Sequence, residues 1–176
     1  MKNNIYVQDN FFKKDFLKKL QTEIINLEFK SRYNDISTLA DKDSPSNNLY
    51  QRNYHHVSLS GSSPVVHEVV KNIKQYFNYS VKEMTSNYFL SFPDTPPIPH
   101  EDGSEYNCLI FIVGDKLINN GTGFYEKVDK KYQLHSHVGF KENRAIFFDS
   151  KIWHSPLQFA GNSTPRYVMA NFIYDR

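Results

Sequence analysis

Two stretches in the first half of the chain have the apolar spacing of amphipathic helices. Over residues 10–29, apolar side chains recur at intervals of four, four, four and three, so they form one stripe with lysines on the opposite face. The stripe consists of Phe12, Phe16, Leu20, Ile24 and Leu27. We expect Asp9 or Asn10 to cap this helix by accepting hydrogen bonds from its first free backbone N–H groups.

Residues 64–78 form the second predicted helix. Ser63 suits the cap position, and Pro64 suits the first helical position, where the missing N–H is not needed. The predicted apolar face comprises Val66, Val70, Ile73 and Phe77.

The pattern changes from about residue 84 onward. Short segments rich in aromatic and β-branched residues alternate with clusters of Pro, Gly, Asn and Asp, which predicts strands separated by turns. The segments are NYFLSF, YNCLIFIV, KYQLHSHV, RAIFFD and RYVMANFIY, and residues 50–60 are a candidate for a further strand. Helices followed by at least five strands favour an α+β fold, a β-sandwich or barrel with helices packed on one outer face.

Composition narrows the class of protein. The 176 residues fit one domain, and a 39% hydrophobic content with 15% aromatic residues is enough for a core. A net charge of +2 with interspersed signs gives no basic face, so nucleic acid is not an expected partner. The single cysteine, Cys108, excludes an internal disulfide and lies in an apolar run typical of a buried thiol.

No stretch approaches the length of a membrane span, and the N-terminal residues lack the apolar core of a signal peptide. We therefore expect a soluble, cytoplasmic protein without a membrane partner. The linker-like segment at 41–48 is interpreted as a surface loop, because too little chain precedes it to fold alone.

Three side chains are candidate metal ligands: His100, Asp102 and His154. In a strand, residues two apart share a face, so His100 and Asp102 could reach one ion together. His154 follows the apolar segment RAIFFD and could project into the mouth of a barrel. Taken alone, the first pair is as typical of a polar turn, and His154 of a buried histidine bonded to backbone. Two imidazoles and one carboxylate together form the facial triad of non-haem Fe(II) oxygenases.

Arg166 provides a candidate partner for a second ligand. A facial triad leaves room for a chelating 2-oxo acid and O2, and the far carboxylate of 2-oxoglutarate requires a charge-assisted, bidentate partner such as a guanidinium. Arg166 begins the last predicted strand, twelve residues after His154. Alternation along YNCLIFIV also places Asn107, Leu109 and Phe111 on one face, so Asn107 is a candidate polar contact in the pocket.

Together these residues resemble the 2-oxoglutarate- and Fe(II)-dependent dioxygenase superfamily, especially its prolyl-hydroxylase-like and small viral or bacterial members. The resemblance runs through PIPHED, YNCLIFIV, GTGFYEK, NRAIFFDSKIWH and GNSTPRYVMANFIY, and covers roughly residues 84–174. It implies a double-stranded β-helix, a jelly-roll or cupin-like barrel, formed by residues 84–176 and supported by helices within residues 1–83. The iron ligands would then be His100, Asp102 and His154, and Arg166 would bind the distal carboxylate.

The resemblance also assigns weaker roles. Gly121 and Gly123 match the family's glycine-bearing turn before an aromatic residue, although an ordinary hairpin explains them equally well. Tyr88 is a candidate cosubstrate-binding tyrosine, but it lies twelve residues before His100, farther than the family's spacing. Many members carry Ser or Thr two residues after the arginine, and here that position is Val168.

The implied activity is oxygenation of a C–H bond, with 2-oxoglutarate converted to succinate and CO2. Fe(II), 2-oxoglutarate and O2 are the implied cofactor and cosubstrates, with ascorbate a further candidate. The substrate class is a small molecule or a peptide or protein, and hydroxylation of an amino-acid side chain is the leading interpretation. Apolar strands and the indole of Trp153 are candidates for a water-excluding wall around the iron.

Two other interpretations remain open at this stage. His135 and His137 share a strand face and could join His154 in a three-histidine cupin site, the site of a metal-dependent isomerase or of a dioxygenase that needs no 2-oxo acid. The chain could also be a non-catalytic ligand-binding barrel of the same fold. Nucleic-acid repair is the least expected function, because a basic groove is lacking.

Overall fold

The computed structural model describes residues 4–31, 54–92, 99–117, 120–158 and 164–175. Within these residues the chain forms two helices, α1 (Lys14–Ile24) and α2 (Pro64–Phe77). The strands are β1 (Ile5–Gln8), β2 (Lys30–Ser31), β3 (Tyr54–Leu59), β4 (Glu83–Ser91), β5 (Tyr106–Val113), β6 (Asn120–Val128), β7 (Lys131–Gly139), β8 (Ala145–Asp149), β9 (Trp153–Gln158) and β10 (Arg166–Tyr174).

The strands form two antiparallel sheets. The larger has the order β1-β8-β5-β10-β4-β3-β2, and the smaller has the order β7-β6-β9. Neighbouring strands are often distant in sequence, and this is the two-sheet arrangement of a double-stranded β-helix, or jelly roll. The predicted α+β fold with helices on one face is therefore confirmed.

Two apolar clusters lie on opposite faces of the seven-stranded sheet. On one face, Cys108, Ile110 and Ile112 of β5 pack with residues of both helices. On the other face, Phe111 belongs to a smaller cluster between the two sheets. That cluster comprises Phe111, Phe124, Phe140, Ile146, Phe148 and Val168. The predicted alternation along β5 is confirmed, and Cys108 is buried as expected.

The first helix is shorter than predicted, because tertiary contacts replace its first turn. Phe11 and Phe12 are buried ahead of α1, where their backbone N–H groups donate to the backbone and side-chain oxygens of Asn143, respectively. The predicted cap is wrong: Lys13 occupies that position without a side-chain hydrogen bond. Asp9 instead accepts hydrogen bonds from Lys141 and Arg144, and Asn10 adopts a left-handed backbone conformation with φ 57°.

The second helix begins as predicted. Ser63 accepts a hydrogen bond from the backbone N–H of Val65, and Pro64 is the first helical residue. The predicted strands are also confirmed, with β5 and β10 matching their predicted bounds. Residues 41–48 and 50–53 lie outside the described residues. Among the described residues, neither helix combines the length and apolar character needed to cross a bilayer.

The prediction of a glycine-bearing turn at Gly121 and Gly123 is wrong, because both residues lie inside strand β6. Gly121 pairs with Gly139 of β7 and Leu157 of β9, so it is in the centre of the smaller sheet. A Cβ atom at Gly121 would overlap the backbone oxygen of Val138, and φ is +153° there. Glycine is thus required for close approach of two strands, not for a reversal of the chain.

Candidate metal centre

Two of the candidate ligands are directly opposite residues of an antiparallel bridge. The backbone N–H of His100 donates to the carbonyl of His154, and the reverse bond is also formed, each at 3.0 Å. His154 is the second residue of β9, and its ring is buried against Phe148 with ring centroids 4.8 Å apart. The β9 strand therefore fixes the position of His100 as well as that of His154.

Asp102 is fixed to the same region by a different route. His100 forms only an isolated bridge and residues 101–105 form no strand, so the prediction that His100 and Asp102 share a strand face is wrong. Instead, the backbone N–H of Asp102 donates to the carbonyl of Ser150 at 3.0 Å, and Lys151 Nζ donates to the Asp102 carbonyl. The turn between β8 and β9 thereby holds Asp102 beside the two histidines.

The three side chains converge on one point. Their potential ligand atoms lie within 4.8 Å of one another, and among the described residues they form the group able to hold a metal ion. His154 Nε2 is 3.1 Å from Asp102 Oδ2, and His100 Nε2 is 3.9 Å from Asp102 Oδ1. Distances of this order match those between neighbouring ligands of a single octahedral ion with bonds of about 2.1 Å.

The hydrogen bonding of His154 suits a metal ligand, because the backbone fixes the orientation of its ring. His154 Nδ1 lies 2.8 Å from the carbonyl of Ile152, which can only accept, so Nδ1 donates this hydrogen bond and Nε2 is the nitrogen that faces Asp102. Two imidazole nitrogens and one carboxylate that converge on one point are a donor set that fits a divalent ion such as Fe(II).

Asp102 is ionised in this environment. Burial would raise the pKa of its carboxyl, but hydrogen bonding to His154 and the nearby charges of His154 and His100 lower the pKa to about 2. The carboxylate is thus available as an anionic ligand throughout the neutral range.

Asn107 extends the site into the sheet. Its side chain is fully buried on β5, and Nδ2 donates to Asp102 Oδ2 at 2.6 Å. The inward orientation expected from alternation is observed. The amide contacts a candidate metal ligand, while its predicted contact with the cosubstrate stays a prediction.

Arg166 reaches from β10 of the larger sheet to β6 and β9 of the smaller one. It is buried, and Nη1 donates to the carbonyl of Gly121, with longer contacts to Asn120 Oδ1 and the Leu157 carbonyl. Gly121 precedes Phe124, which pairs with His154, by three residues along β6. At about 3.3 Å per residue, the guanidinium lies roughly 10 Å along the strand from the histidine.

Sequence reasoning missed Thr122. Asn120, Thr122 and Phe124 alternate along β6, and Phe124 belongs to the cluster between the sheets, so Thr122 lies on the inner face between Arg166 and the histidines. It is 3% exposed. The alternation of Thr122 with Phe124 would have indicated this position, but only for a strand, and the segment is predicted as a turn.

The other residues predicted near the site do not join the group of candidate metal ligands. Tyr88 is fully buried in the cluster that faces the helices, so the structure places it on the far face of the large sheet. Trp153 alternates with His154 and packs against Tyr132 at 4.8 Å, so its indole is no wall of the site. His135 is exposed beside Glu126, and neither it nor His137 joins His154, which argues against the three-histidine site.

Comparison with solved structures identifies the fold. No family model matches the sequence, and no curated protein matches it. Among solved structures, a prolyl hydroxylase from Trichoplax adhaerens, in complex with a peptide fragment of the hypoxia inducible factor oxygen degradation domain, matches with a TM-score of 0.66 and 12% identity. The match covers 98% of this chain and 84% of that one.

Two further solved structures are also similar. HygX from Streptomyces hygroscopicus, with nickel and 2-oxoglutarate bound, has a TM-score of 0.64 at 11% identity, covering 97% of this chain and 83% of that one. The non-heme alpha ketoglutarate dependent epimerase SnoN from nogalamycin biosynthesis has a TM-score of 0.64 at 9% identity, with coverage of 97% and 78%. At these identities the likeness establishes the double-stranded β-helix fold.

Proposed function

We propose that the chain is an Fe(II)- and 2-oxoglutarate-dependent oxygenase. The observation that carries this proposal is the convergence of His100, Asp102 and His154, whose potential ligand atoms lie within 4.8 Å of one another. The similar structures include one with nickel and 2-oxoglutarate bound, which supports the same pairing of metal and cosubstrate here.

In this proposal, His100, Asp102 and His154 would hold the metal. Two neutral imidazoles and one carboxylate leave a ferrous centre with a net positive charge and open positions for an anionic cosubstrate. When bound, the metal supplies activation of O2 for attack on a C–H bond. The protein itself orients the His154 imidazole through the Ile152 carbonyl and the Phe148 ring.

Arg166 and Thr122 bind the distal carboxylate of 2-oxoglutarate. The guanidinium supplies charge-assisted hydrogen bonds, and its position about 10 Å along β6 from His154 matches a five-carbon diacid chelated at its other end. The inner-face hydroxyl of Thr122 lies between the two and provides the neutral donor that is lacking at Val168. The apolar cluster beside them, including Phe111 and Phe148, excludes water from the site.

Hydroxylation of a peptide or small molecule is the reaction we favour. The Trichoplax enzyme is described in complex with a peptide, whereas HygX is described with hygromycin B and SnoN with nogalamycin RO, so this fold binds both peptides and small molecules. SnoN is described as an epimerase, which makes stereochemical inversion the second candidate outcome. The two outcomes differ in the product, because only hydroxylation adds an oxygen atom.

The test combines binding with turnover. Chelator-stripped protein should be stabilised by Ni²⁺ and further by 2-oxoglutarate, and with Fe(II) in air it should convert 2-oxoglutarate slowly to succinate without a second substrate. Asp102→Ala should abolish both effects. Binding of metal and 2-oxoglutarate with no succinate would favour the ligand-binding barrel, and failure to bind metal would refute the proposal.

A further inference from the structure

Asn107 makes a contact that neither metal coordination nor cosubstrate binding requires. We propose that Asn107 is a positioning residue of the metal centre, which holds the Asp102 carboxylate so that it coordinates through a single oxygen. This inference rests on the proposed function only in assuming that the His100, Asp102 and His154 group binds a divalent ion.

A directional chain of hydrogen bonds fixes the Asn107 amide. The hydroxyl of Ser104 donates to Asn107 Oδ1 at 2.8 Å, and Asn107 Nδ2 donates to Asp102 Oδ2 at 2.6 Å. An ionised carboxylate can only accept, so the nitrogen of the amide must face Asp102. Ser104 is held in turn, because the hydroxyl of Ser150 donates to its backbone carbonyl.

Burial makes this chain rigid. Asn107 and Ser150 are fully buried and Ser104 is 4% exposed, so water does not compete for these hydrogen bonds. This series of hydrogen bonds begins at Ser150, whose backbone carbonyl also accepts a hydrogen bond from the backbone N–H of Asp102. Both the backbone and the carboxylate of Asp102 are thus tied to one residue of the turn before β9.

The amide restricts how the carboxylate can be presented. Asp102 Oδ2 faces His154 and Oδ1 faces His100, so a free carboxylate could rotate to offer both oxygens to one ion. A short hydrogen bond from a fixed amide opposes that rotation and occupies one lone-pair direction of Oδ2. Coordination through one oxygen keeps the remaining metal positions open.

The protein contains a second buried asparagine that serves as a control for Asn107. Asn171 on β10 is also fully buried, accepts a hydrogen bond from a serine hydroxyl, that of Ser86, and donates from Nδ2 to the carbonyl of Cys108. Asn107 and Asn171 therefore match in burial and hydrogen bonding. They differ in that only Asn107 contacts a candidate metal ligand.

The experiment measures Ni²⁺ binding to chelator-stripped protein by titration calorimetry, without any turnover. Asn107→Ala should weaken Ni²⁺ binding by about 10- to 100-fold, the range found when a hydrogen-bond partner of a metal ligand is removed. Asn171→Ala should lower the melting temperature comparably and leave the Ni²⁺ affinity within about threefold of wild type. The absorption spectrum of bound Co²⁺ should change in Asn107→Ala and not in Asn171→Ala.

Each result decides a different point. If Asn107→Ala binds Ni²⁺ as tightly as wild type, or if Asn171→Ala loses as much affinity, the positioning role is refuted while the proposed function stands. If the wild type binds no divalent ion, both fail. Should Asn107→Ala not fold, Ser104→Ala decides: it keeps the amide but frees its orientation, so a several-fold loss of Ni²⁺ affinity supports the role and unchanged affinity refutes it.

Discussion

His100 and His154 face each other across an antiparallel bridge and exchange both of their backbone hydrogen bonds at 3.0 Å. The bridge brings their rings to a centroid distance of 4.6 Å, although 54 positions separate them in the sequence. Because the backbone holds both residues, the spacing of the two imidazoles does not depend on a metal ion. The site is thus prepared for an ion before one binds.

This arrangement predicts that the ligand function of His100 can be separated from the fold. His100→Ala removes the imidazole but keeps both backbone hydrogen bonds, so we expect more than about a 100-fold loss of Ni²⁺ affinity, beyond that of a second-sphere change. The melting temperature of the metal-free protein should move little, because the His100 side chain is one-third exposed. His67→Ala, an exposed histidine on α2, serves as the control and should leave both quantities unchanged.

Much of the fold was predictable because local signals and tertiary packing agree. The bounds of β5 and β10 follow from apolar runs that end at turn residues, and α2 begins where Ser63 and Pro64 indicate. The start of α1 was not predictable, because Asn143, distant in sequence, hydrogen-bonds the backbone of Phe12. Only the fold brings that competing partner into place.

The candidate site was predictable in composition more than in geometry. The motif around His100 and His154 indicated the ligands, but their convergence depends on a backbone bridge and on Ser150 rather than on strand alternation. The face of Tyr88 could not be read from the sequence, because β4 has apolar residues on both faces. Glycines in β6 were read as a turn, since sequence alone cannot distinguish a reversal from close strand packing.

The position of Arg166 predicts a specific loss on conservative replacement. Arg166→Lys keeps the positive charge but loses the planar fork, so affinity for 2-oxoglutarate in the presence of Ni²⁺ should fall by about 10- to 100-fold. Ni²⁺ affinity alone should be retained, because Arg166 contacts β6 and β9 carbonyls and not the three ligands. Arg144→Lys, a change at the arginine that binds Asp9, is the matched control. Equal 2-oxoglutarate affinity in the two variants would contradict the role of Arg166.

Replacement of Thr122 is expected to cause a smaller loss of 2-oxoglutarate affinity than replacement of Arg166. Thr122→Val removes a hydroxyl with little change in shape, so we expect roughly a 5- to 10-fold loss of 2-oxoglutarate affinity, the worth of one neutral hydrogen bond. Calorimetric titration of the Ni²⁺-loaded protein measures this directly. The strand itself should be retained, because valine and threonine are both β-branched and both favour strands. An unchanged affinity would show that the hydroxyl does not contact the diacid.

We expect the close packing of β6 and β7 to require glycine at position 121. Gly121→Ala places a Cβ against the Val138 backbone oxygen and the His137 ring at a backbone φ of +153°, so we expect a loss of about 2–3 kcal/mol in the free energy of unfolding. Gly61→Ala is the control, since a Cβ there meets no atom within 4 Å. Chemical denaturation of both variants provides the comparison, and similar losses would contradict the close approach of β6 and β7.

The cluster of Asp9, Lys141 and Arg144 predicts the acid sensitivity of the fold. Hydrogen bonding to Arg144 and Lys141 outweighs burial and lowers the pKa of Asp9 to about 2, below its value of about 3.9 in an unfolded chain. A lowered folded-state pKa contributes stability that is complete above about pH 4 and is lost as the pH falls toward 2.

Because the Asp9 side chain is one-third exposed, solvent screening limits its contribution, and Asp9→Asn should cost about 1 kcal/mol at neutral pH. The difference in unfolding free energy between wild type and this variant should shrink between pH 4 and pH 2 and vanish below it. Glu28→Gln, at an exposed position, should show no such convergence. A constant difference between Asp9→Asn and wild type across that range would mean that packing, and not the ion pair, accounts for the loss.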